Sequence, residues 1–302
     1  MGAQAGEPRA SAARHTIGPT LKLLITGGSG YLGQALLKRS PQNWELAATH
    51  HAHDLEQPGA AAFRVDVRDA AAVAQVMQGF RPDAVLHTAA LMSGPAMLAV
   101  NEHGSRNVAA ACRRLNARLI HLSSDVIFDG EHAPYDEDSS PAPISLYGES
   151  KARAEKAIAE EDPEALVVRT SLIYGFDPPD PRTRQVIAGE MPVLFTDEYR
   201  CPIFVDDLAD ALLELAAGGA DGVPGRRAAP ARLNVAGPDR LSRYEFGIKL
   251  IRVFGSAQRF RGDVSASHPV PRPRDCALDI TLARRVLKTR LRSVDEVLTT
   301  VR

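Results

Sequence analysis

Residues 21–33 read LKLLITGGSGYLG, and the fold of the chain follows from this stretch. Its apolar first half is typical of a buried parallel strand, and the YLGQALLK that begins at Tyr31 has helical spacing. Between them Gly27, Gly30 and Gly33 form GxxGxxG, a variant of the fingerprint with which a strand–turn–helix unit binds a dinucleotide. An ordinary glycine-rich turn is the alternative. The strand before the glycines and the helix after them favour a dinucleotide site, with the pyrophosphate at the helix N-terminus.

The composition excludes several classes of partner. The 302 residues are 44% hydrophobic, enough for a large core, and a net charge of −1 favours neither a nucleic acid nor a membrane as partner. No apolar run reaches the length of a membrane-spanning helix. Three widely separated cysteines, Cys112, Cys201 and Cys276, predict neither a disulfide framework nor a metal site, and they indicate a reducing, cytoplasmic compartment.

Beyond the first helix, strands and helices alternate in the predicted order. The apolar patterns predict further strands at residues 44–49, 63–67, 84–86, 118–123 and 166–170. Helices between them are predicted at residues 70–80, with Asp69 as N-cap, at 95–115 and at 147–161. This alternation predicts an α/β fold, namely a Rossmann-type doubly wound parallel sheet with a small C-terminal substrate-binding lobe.

The clean alternation fades after residue 170. There we predict a helix at 208–217 capped by Asp206 or Asp207, a surface loop at 218–230, a short strand at 233–235, and a helix that Ser242 and Glu245 open as a capping box. Residues 1–20 lack the apolar core of a signal peptide, so we expect a disordered leader, with a basic organelle-targeting segment as the alternative. Residues 21–302 would form one extended NAD(P)-binding domain, whose substrate lobe comes mainly from 175–204 and 237–302.

The cofactor is expected to lie across the carboxyl ends of the predicted strands. Its contacts are predicted at Gly27, Ser29, Gly30, Tyr31, Leu32, Gly33, His50, Asp66, Val67, Ala89, Ala90, Tyr147 and Lys151. Where the second strand ends, an NAD-binding fold usually carries an acid for the ribose hydroxyls. This chain has His50 and His51 there, with Asp54 further on, which favours NADP slightly over NAD. Two solvated loop histidines are the alternative interpretation.

A tyrosine and a lysine four residues apart indicate the chemistry. Tyr147 and Lys151 would share one face of the helix at 147–161, and a neighbouring ammonium would lower the pKa of the phenol toward the working range. Such a tyrosine suits proton donation to a developing alkoxide. Ser124, at the end of the fifth strand, could hydrogen-bond a substrate carbonyl. The alternatives are a partly buried tyrosine beside an exposed lysine, and a serine that only caps a turn.

Taken in order, these motifs resemble the extended short-chain dehydrogenase/reductase superfamily, and more narrowly the dTDP-4-dehydrorhamnose reductases. Residues 123–130 (SSDVIFDG) are similar to their STDYVFDG, and residues 169–175 (RTSLIYG) to their RTSWVYG. Three further segments add to the resemblance: PISLYGESK ending at Lys151, the helix start Asp207-Leu208-Ala209, and Arg272-Pro273 followed by Leu278-Asp279. The resemblance covers about residues 21–290. The stretch between Ala90 and Asn101, LMSGPAMLAV, lacks the acidic run that the family usually has there.

The resemblance implies reduction of a keto group on a sugar nucleotide by NADPH or NADH. Ser124 and Tyr147 would polarise and protonate the keto oxygen, and Lys151 would lower the tyrosine pKa and bind the nicotinamide ribose. Asp125, Arg200 and Arg272 are further expected substrate contacts, and a homodimer is left open. The alternatives are a sugar-nucleotide epimerase or other carbonyl reductase, and a non-catalytic NADP-binding regulatory subunit like the methionine adenosyltransferase β subunit. Val126 stands where 4,6-dehydratases need a glutamate, which argues against dehydration.

Overall fold

The computed structural model describes residues 20–55, 58–218, 232–255 and 260–301. The predicted leader, apart from Thr20, and the predicted surface loop at 218–230, apart from Gly218, lie outside the described residues. Within these ranges, no helix combines the length and the apolarity that crossing a lipid bilayer requires.

The described chain alternates strands and helices up to its sixth strand. The strands are β1 Lys22–Thr26, β2 Glu45–His50, β3 Ala60–Arg64, β4 Ala84–His87, β5 Arg118–Ser124, β6 Leu166–Thr170, β7 Ile173–Tyr174, β8 Val193–Phe195, β9 Tyr199–Arg200, β10 Ile203–Phe204, β11 Arg232–Asn234, β12 Leu241–Ser242 and β13 Arg261–Asp263. The α-helices are α1 Tyr31–Arg39, α2 Ala70–Phe80, α3 Gly104–Leu115, α4 Leu146–Glu161, α5 Pro181–Ile187, α6 Val205–Ala216, α7 Arg243–Phe254, α8 Thr281–Val286 and α9 Val294–Thr299.

Seven parallel strands form the central sheet, in the order β11-β6-β5-β4-β1-β2-β3. The predicted α/β fold with a Rossmann-type sheet is therefore confirmed. The chain runs outward from β1 in one direction and outward from β4 in the other, so the connections diverge between these two strands. In open α/β sheets, ligands bind in the crevice at the carboxyl ends of the strands where this reversal occurs.

Both faces of the sheet are buried, which explains the continuous apolar run of β1. Leu23 and Ile25 pack on one face in a cluster that includes Leu36 of α1. Leu24 packs on the other face with residues of α2 and α3. Since successive side chains of a strand point to opposite faces, a strand covered on both sides needs apolar residues at every position.

The elements beyond β6 have an apolar cluster of their own. Two-stranded pairings join β7 to β10, β8 to β13 and β9 to β12. The cluster is built around the fully buried ring of Tyr174, with Leu194, Phe246, Leu250 and Val294 among its members. These elements follow the carboxyl end of β6, which places them near the crevice.

The predicted elements agree with the structure except at three places. The third strand lies at Ala60–Arg64, three residues earlier than predicted, because its paired residues are small and mostly exposed and give little apolar signal. The α6 helix begins at Val205 after Phe204, so neither Asp206 nor Asp207 is its N-cap. Instead, the Asp207 carboxylate accepts hydrogen bonds from Arg292.

The third difference lies in the predicted helix at 95–115. A π-helical segment, Ala99–His103, precedes α3 and widens the turn around Asn101. The two predicted caps are confirmed: Asp69 accepts hydrogen bonds from the first turn of α2, and Ser242 and Glu245 form a capping box on α7. The three cysteines are free and buried.

Candidate active site

The glycine turn (residues 27–30) follows β1 at the reversal of the sheet. Gly27 has a φ of +73°, and a Cβ there would lie 2.8 Å from Cα of Ala89, in the segment after β4. A Cβ on Gly33 would overlap the carbonyl oxygen of Gly27. A Cβ on Gly30 would meet only that same oxygen, at 3.1 Å, and Gly30 itself is exposed. The protein's own backbone therefore requires Gly27 and Gly33, whereas Gly30 faces the crevice.

The N-terminus of α1 suits a phosphate group. Gly30 is the N-cap, no side chain caps the helix, and the first turn carries no acid. The first N–H groups of a helix have no partner within the helix, and they carry a partial positive charge. A pyrophosphate close to Gly30 would satisfy both, so the residues present fit a dinucleotide.

The other predicted cofactor contacts of this segment, Ser29, Tyr31 and Leu32, have different surroundings in the structure. Ser29 is half-buried. The Leu32 side chain packs into the core, so only the backbone of Leu32 could contact a ligand. The Tyr31 hydroxyl donates a hydrogen bond to the carbonyl oxygen of Pro178, 3.1 Å away. Burial raises the pKa of Tyr31 well above its ordinary value, and the charge of Asp180 adds to this effect.

Histidines, an arginine and an ion-paired acid surround the carboxyl ends of β2 and β3. Nδ1 of His50 lies 3.1 Å from the carbonyl oxygen of His53. Asp66, just beyond β3, is 2.6 Å from Nη2 of Arg68 and 3.7 Å from Nε2 of His51. The hydrogen bond from Arg68 lowers the pKa of Asp66 to about 2. This carboxylate is thus already paired with a cation.

The segment after β4 is held by its neighbours. Oγ1 of Thr88 donates to the carbonyl oxygen of Thr26 over 2.7 Å, which ties the ends of β4 and β1 together. Ala89 is half-buried beside Gly27, and Ala90 is exposed. The carboxamide of Asn101 then holds both the N–H and the carbonyl of Leu91, each over 2.8 Å.

Ser124, Asp125 and Tyr147 meet at the carboxyl end of β5. The Ser124 hydroxyl donates to a carboxylate oxygen of Asp125 over 3.3 Å, and it lies close enough to Tyr147 to influence the pKa of the phenol. Ser124 precedes a short 3-10 turn, but its side chain does not cap it. Tyr147 lies in the first turn of α4, which Ser145 caps.

The expected lowering of the Tyr147 pKa is wrong in this structure. Burial raises it to about 12, the negative charge of Asp125 adds to the rise, and the hydrogen bond from Ser124 opposes it. The neutral phenol is therefore the stable form, and it keeps its proton at neutral pH.

Lys151 lies four residues after Tyr147 on α4 and is 3% exposed, so the alternative of an exposed lysine is excluded. Its Nζ donates to the carbonyl oxygen of Leu122 over 2.7 Å and lies 3.4 Å from Nε2 of His121. Burial lowers the pKa of Lys151 to about 8, and the charge of Glu155 opposes this shift. The ammonium form thus persists at neutral pH.

Asn101 and Ser150 form a link that the sequence analysis missed. Nδ2 of Asn101 donates to Oγ of Ser150 over 2.8 Å, and that hydroxyl donates to the carbonyl oxygen of Tyr147 over 2.7 Å. Together with the bonds to Leu91, this joins the segment after β4 to the helix that carries Tyr147. The available signal was an asparagine, a poor helix former, inside an otherwise regular helical pattern.

A buried carboxylate surrounded by arginines adjoins Asp125. Glu198 is fully buried and accepts from Arg243 over 2.8 Å and from Arg272 over 2.5 Å, while Arg200 lies 3.3 Å away. Burial alone would raise the pKa of Glu198, but these cations hold it well below its usual range. Two predicted substrate contacts, Arg200 and Arg272, are thus partly engaged with Glu198.

Arg200 also reaches toward Asp125. Its Nε lies 3.6 Å from Oδ2 of Asp125, an oxygen that also accepts from Ser171 over 2.6 Å. Burial raises the pKa of Asp125, against the opposing charge of Arg200. Within the described part of the chain, the buried Nη1 of Arg243 has no hydrogen-bond acceptor. The cluster therefore retains donor capacity beside the site.

Comparisons with known proteins identify one family and two kinds of relative. The model of a family described as RmlD substrate binding domain matches residues 21–301. dTDP-4-dehydrorhamnose reductase of Mycobacterium tuberculosis is 34% identical over 273 residues, which cover 85% of this chain and 84% of that protein. Methionine adenosyltransferase 2 subunit beta of Xenopus tropicalis is 30% identical over 219 residues, 65% of this chain and 62% of that protein.

A solved structure with the same name as the relative from Mycobacterium tuberculosis shares the fold of this chain. The crystal structure of dTDP-4-dehydrorhamnose reductase from Bacillus anthracis in complex with NADP superposes with a TM-score of 0.76. It is 23% identical, and the superposition covers 93% of this chain and 98% of that one. Across the described ranges, no group of three or more histidine, cysteine or carboxylate side chains is arranged to hold a metal ion.

Proposed function

The chain belongs to the RmlD substrate-binding domain family, and on that premise we propose that it reduces a keto group on a sugar nucleotide with NADPH or NADH. One observation carries the proposal: Ser124 lies beside Tyr147, and the buried ammonium of Lys151 lies four residues further along the helix that carries Tyr147. This group lies at the carboxyl edge of the sheet, on the same edge as the glycine turn.

The protein's part in the reaction is to neutralise charge on the substrate oxygen. A bound nicotinamide would supply the hydride. Tyr147 would then transfer its hydroxyl proton to the keto oxygen, and the Ser124 hydroxyl would hydrogen-bond that oxygen as charge develops on it. The Lys151 ammonium would stabilise the phenolate left on Tyr147, an unfavourable anion in a buried site whose phenol pKa is about 12.

The substrate is proposed to be a nucleotide-linked sugar held by the C-terminal elements. The arginines around Glu198 support an anionic ligand, because Arg243 keeps an unused buried donor and because arginine pairs readily with phosphate. Residues 175–204 and 237–302 would form the substrate lobe, since they supply Glu198, Arg243 and Arg272. Within nucleotide-linked sugars we propose a 4-keto-6-deoxy sugar, after the relative from Mycobacterium tuberculosis named dTDP-4-dehydrorhamnose reductase.

A turnover screen tests the proposal. The purified protein is given NADPH or NADH with dTDP-, GDP- or UDP-linked 4-keto-6-deoxy sugars, and oxidation of the cofactor is followed by its absorbance. We expect turnover on at least one of them, and Tyr147→Phe serves as the control for contaminating reductases. The absence of turnover on all of them would contradict the proposal.

The likeness to methionine adenosyltransferase 2 subunit beta supports a second function, a regulatory subunit that binds NADP without turnover. The intact set of Ser124, Tyr147 and Lys151 favours the reductase. A pull-down from the native extract, made beside the turnover screen, separates the two functions. A stoichiometric partner whose activity changes, together with no turnover on any sugar nucleotide, would favour the regulatory subunit over the reductase. Light scattering on the same preparation tests whether the protein is a homodimer.

A further inference from the structure

Two histidines lie completely buried beneath the candidate active site. His121 on β5 is 0% exposed, and His87 on the neighbouring strand β4 is 1% exposed. Their ring centroids are 5.2 Å apart. A buried imidazole loses its hydration, so each ring nitrogen needs a partner from the protein. The partners of the two rings differ, and the difference assigns them different roles.

Both ring nitrogens of His87 serve the fold. Nδ1 lies 2.6 Å from Oγ1 of Thr26, and Nε2 lies 3.0 Å from Oγ of Ser105. Ser105 uses its own hydrogen to donate to the carbonyl oxygen of Asn101 over 2.5 Å. The Ser105 hydroxyl must therefore accept from His87, which assigns the neutral Nε2–H tautomer to this ring.

His121 has the opposite arrangement. Its Nε2 lies 3.4 Å from Nζ of Lys151, and an ammonium can only donate. Nε2 must therefore present its lone pair, and the hydrogen of the neutral ring sits on Nδ1. Across the ranges that the structure describes, that Nδ1 has no hydrogen-bond partner. An apolar side chain would fill this place without an unpaired donor, so the contact with Lys151 is the feature that accounts for a histidine here.

We propose that His121 is a positioning residue for Lys151: its Nε2 and the carbonyl oxygen of Leu122 accept two ammonium hydrogens and leave the third for the reacting side. This inference rests on the proposed reductase function, in which Lys151 acts on Tyr147. His121 itself touches neither the substrate oxygen nor Tyr147 in this role.

The acceptor also keeps the lysine charged. The charged and titratable groups that act on Lys151 are His121 from β5, His87 from β4 and Glu155 from its own helix. Glu155 favours the ammonium but is engaged with Arg169, and both nitrogens of His87 are occupied. A hydrogen bond donated by a cation stabilises the charged form. Removing the His121 acceptor would therefore lower the pKa of Lys151 from its value of about 8.

The first test is spectroscopic and needs no substrate. In protein with ¹⁵N-labelled histidine, long-range ¹H–¹⁵N correlation spectra report which ring nitrogen carries hydrogen. We expect the Nδ1–H tautomer for His121 and the Nε2–H tautomer for His87. Lys151→Met should shift the Nε2 resonance of His121 and leave that of His87 in place, whereas Lys156→Met, at an exposed position of the same helix, should shift neither. An Nε2–H tautomer at His121 would overturn the proposal.

The second test uses the pH dependence of turnover. His121→Leu removes the acceptor at similar volume, and we expect the alkaline limb of kcat to move about one pH unit lower. Turnover should fall about fivefold near pH 8 and about tenfold well above it, with an unchanged KM for the sugar nucleotide. His121→Gln keeps an acceptor oxygen, so its alkaline limb should lie close to that of the wild type. His87→Gln is the matched control at equal burial and should leave the limb in place.

The two tests separate this inference from the proposed function. A shift of the alkaline limb in His87→Gln as large as that in His121→Leu would mean that the histidines act on packing alone, and it would overturn the role of His121. If the protein turns over no keto sugar nucleotide, the reductase function fails, and the tautomer of His121 and its response to Lys151→Met still decide whether the contact exists.

Discussion

Tyr147 is the central residue of the proposed reaction, because its hydroxyl carries a transferable proton and lies beside Ser124. Tyr147→Phe removes the proton and keeps the ring, so folding and cofactor binding should survive. General acid catalysis typically contributes about 10²- to 10⁴-fold, and we expect kcat to fall within that range. Steady-state kinetics measures the loss. Ser124→Ala should cost less, because it removes one hydrogen bond and no proton source.

Tyr244→Phe is the matched control for the tyrosine variant. Tyr244 lies on α7, where its ring packs edge-to-face against Phe260. Wild-type turnover in this variant and reduced turnover in Tyr147→Phe would support the assignment. Wild-type turnover in Tyr147→Phe would show that another group supplies the proton.

Lys151 is expected to act in two ways, on the Tyr147 phenolate and on the cofactor. Lys151→Met should therefore lower both kcat and NADPH affinity, as measured by kinetics and by fluorescence titration, while Lys156→Met should change neither. Since the pKa of Lys151 is about 8 and the ammonium is the active form, wild-type turnover should decline as the pH rises through that value. Turnover that stays constant up to pH 10 would argue against a required ammonium.

At the scale of elements, the glycine turn separates residues that the fold needs from a residue that the ligand needs. Gly30→Val places a branched side chain where the pyrophosphate is expected, and only one protein atom limits it. We expect NADPH affinity to fall at least tenfold, about 1.4 kcal/mol, with little change in melting temperature. Gly79→Val, at an open position on α2, is the control and should bind NADPH normally. Unchanged affinity in a folded Gly30→Val protein would move the phosphate site elsewhere.

The ends of β2 and β3 should decide the cofactor. Asp66 is already paired with Arg68, and the side chain of Asp54 is 94% exposed, so we expect no acid to hold the 2′-hydroxyl tightly. NADPH should bind at least as well as NADH in a direct titration. Arg68→Ala should reduce the ratio of the two affinities, because a 2′-phosphate loses a cation there and a hydroxyl does not. A strong preference for NADH would show that Asp54 or Asp66 reaches the ribose.

The sequence predicted the elements whose signals are local. The β1 strand, the glycine turn and α1 follow from apolar runs and glycine spacing, and Tyr147 and Lys151 follow from a four-residue interval on one helix. The edge strand β3 was misplaced because its alanines carry no burial signal. Phe204, rather than an acid, precedes α6 because the chain enters that helix directly from β10.

The parts of the site that the sequence did not predict depend on contacts between distant segments. Glu198 gathers Arg200, Arg243 and Arg272, which are up to 74 residues away along the chain. The raised pKa of Tyr147 depends on burial and on Asp125, and neither can be computed from the spacing of Tyr147 and Lys151. Such long-range effects need the fold.

For the whole molecule, the two buried histidines make stability depend on pH. Burial lowers the pKa of His87 to about 3 and that of His121 well below 6.5, whereas both titrate near 6.5 when unfolded. The unfolded chain therefore binds more protons below that value. Their contribution to stability is complete above pH 6.5 and is lost as the pH falls, by up to about 1.4 kcal/mol per pH unit and histidine.

Urea unfolding between about pH 7 and pH 5 measures this dependence. Asp125 has a raised pKa and acts in the opposite sense, so a variant is needed to isolate the histidines. His87→Gln should reduce the slope of the unfolding free energy by about one proton per molecule near pH 5. A slope equal to that of the wild type would mean that His87 is protonated or solvated in the folded protein.

The α1 helix contacts both proposed binding regions, the glycine turn and the segment that leads into the C-terminal elements. Its N-terminus forms the glycine turn, yet Tyr31 holds Pro178 and Lys38 holds Asp177, in the segment that leads into the C-terminal elements. A molecule that binds at the turn would thus contact a helix that is itself bonded to the segment leading into the C-terminal elements. Any cooperativity between the two ligands that arises this way must be mutual, because each changes the affinity of the other by the same factor. The contacts of α1 are therefore a physical link between the two binding regions.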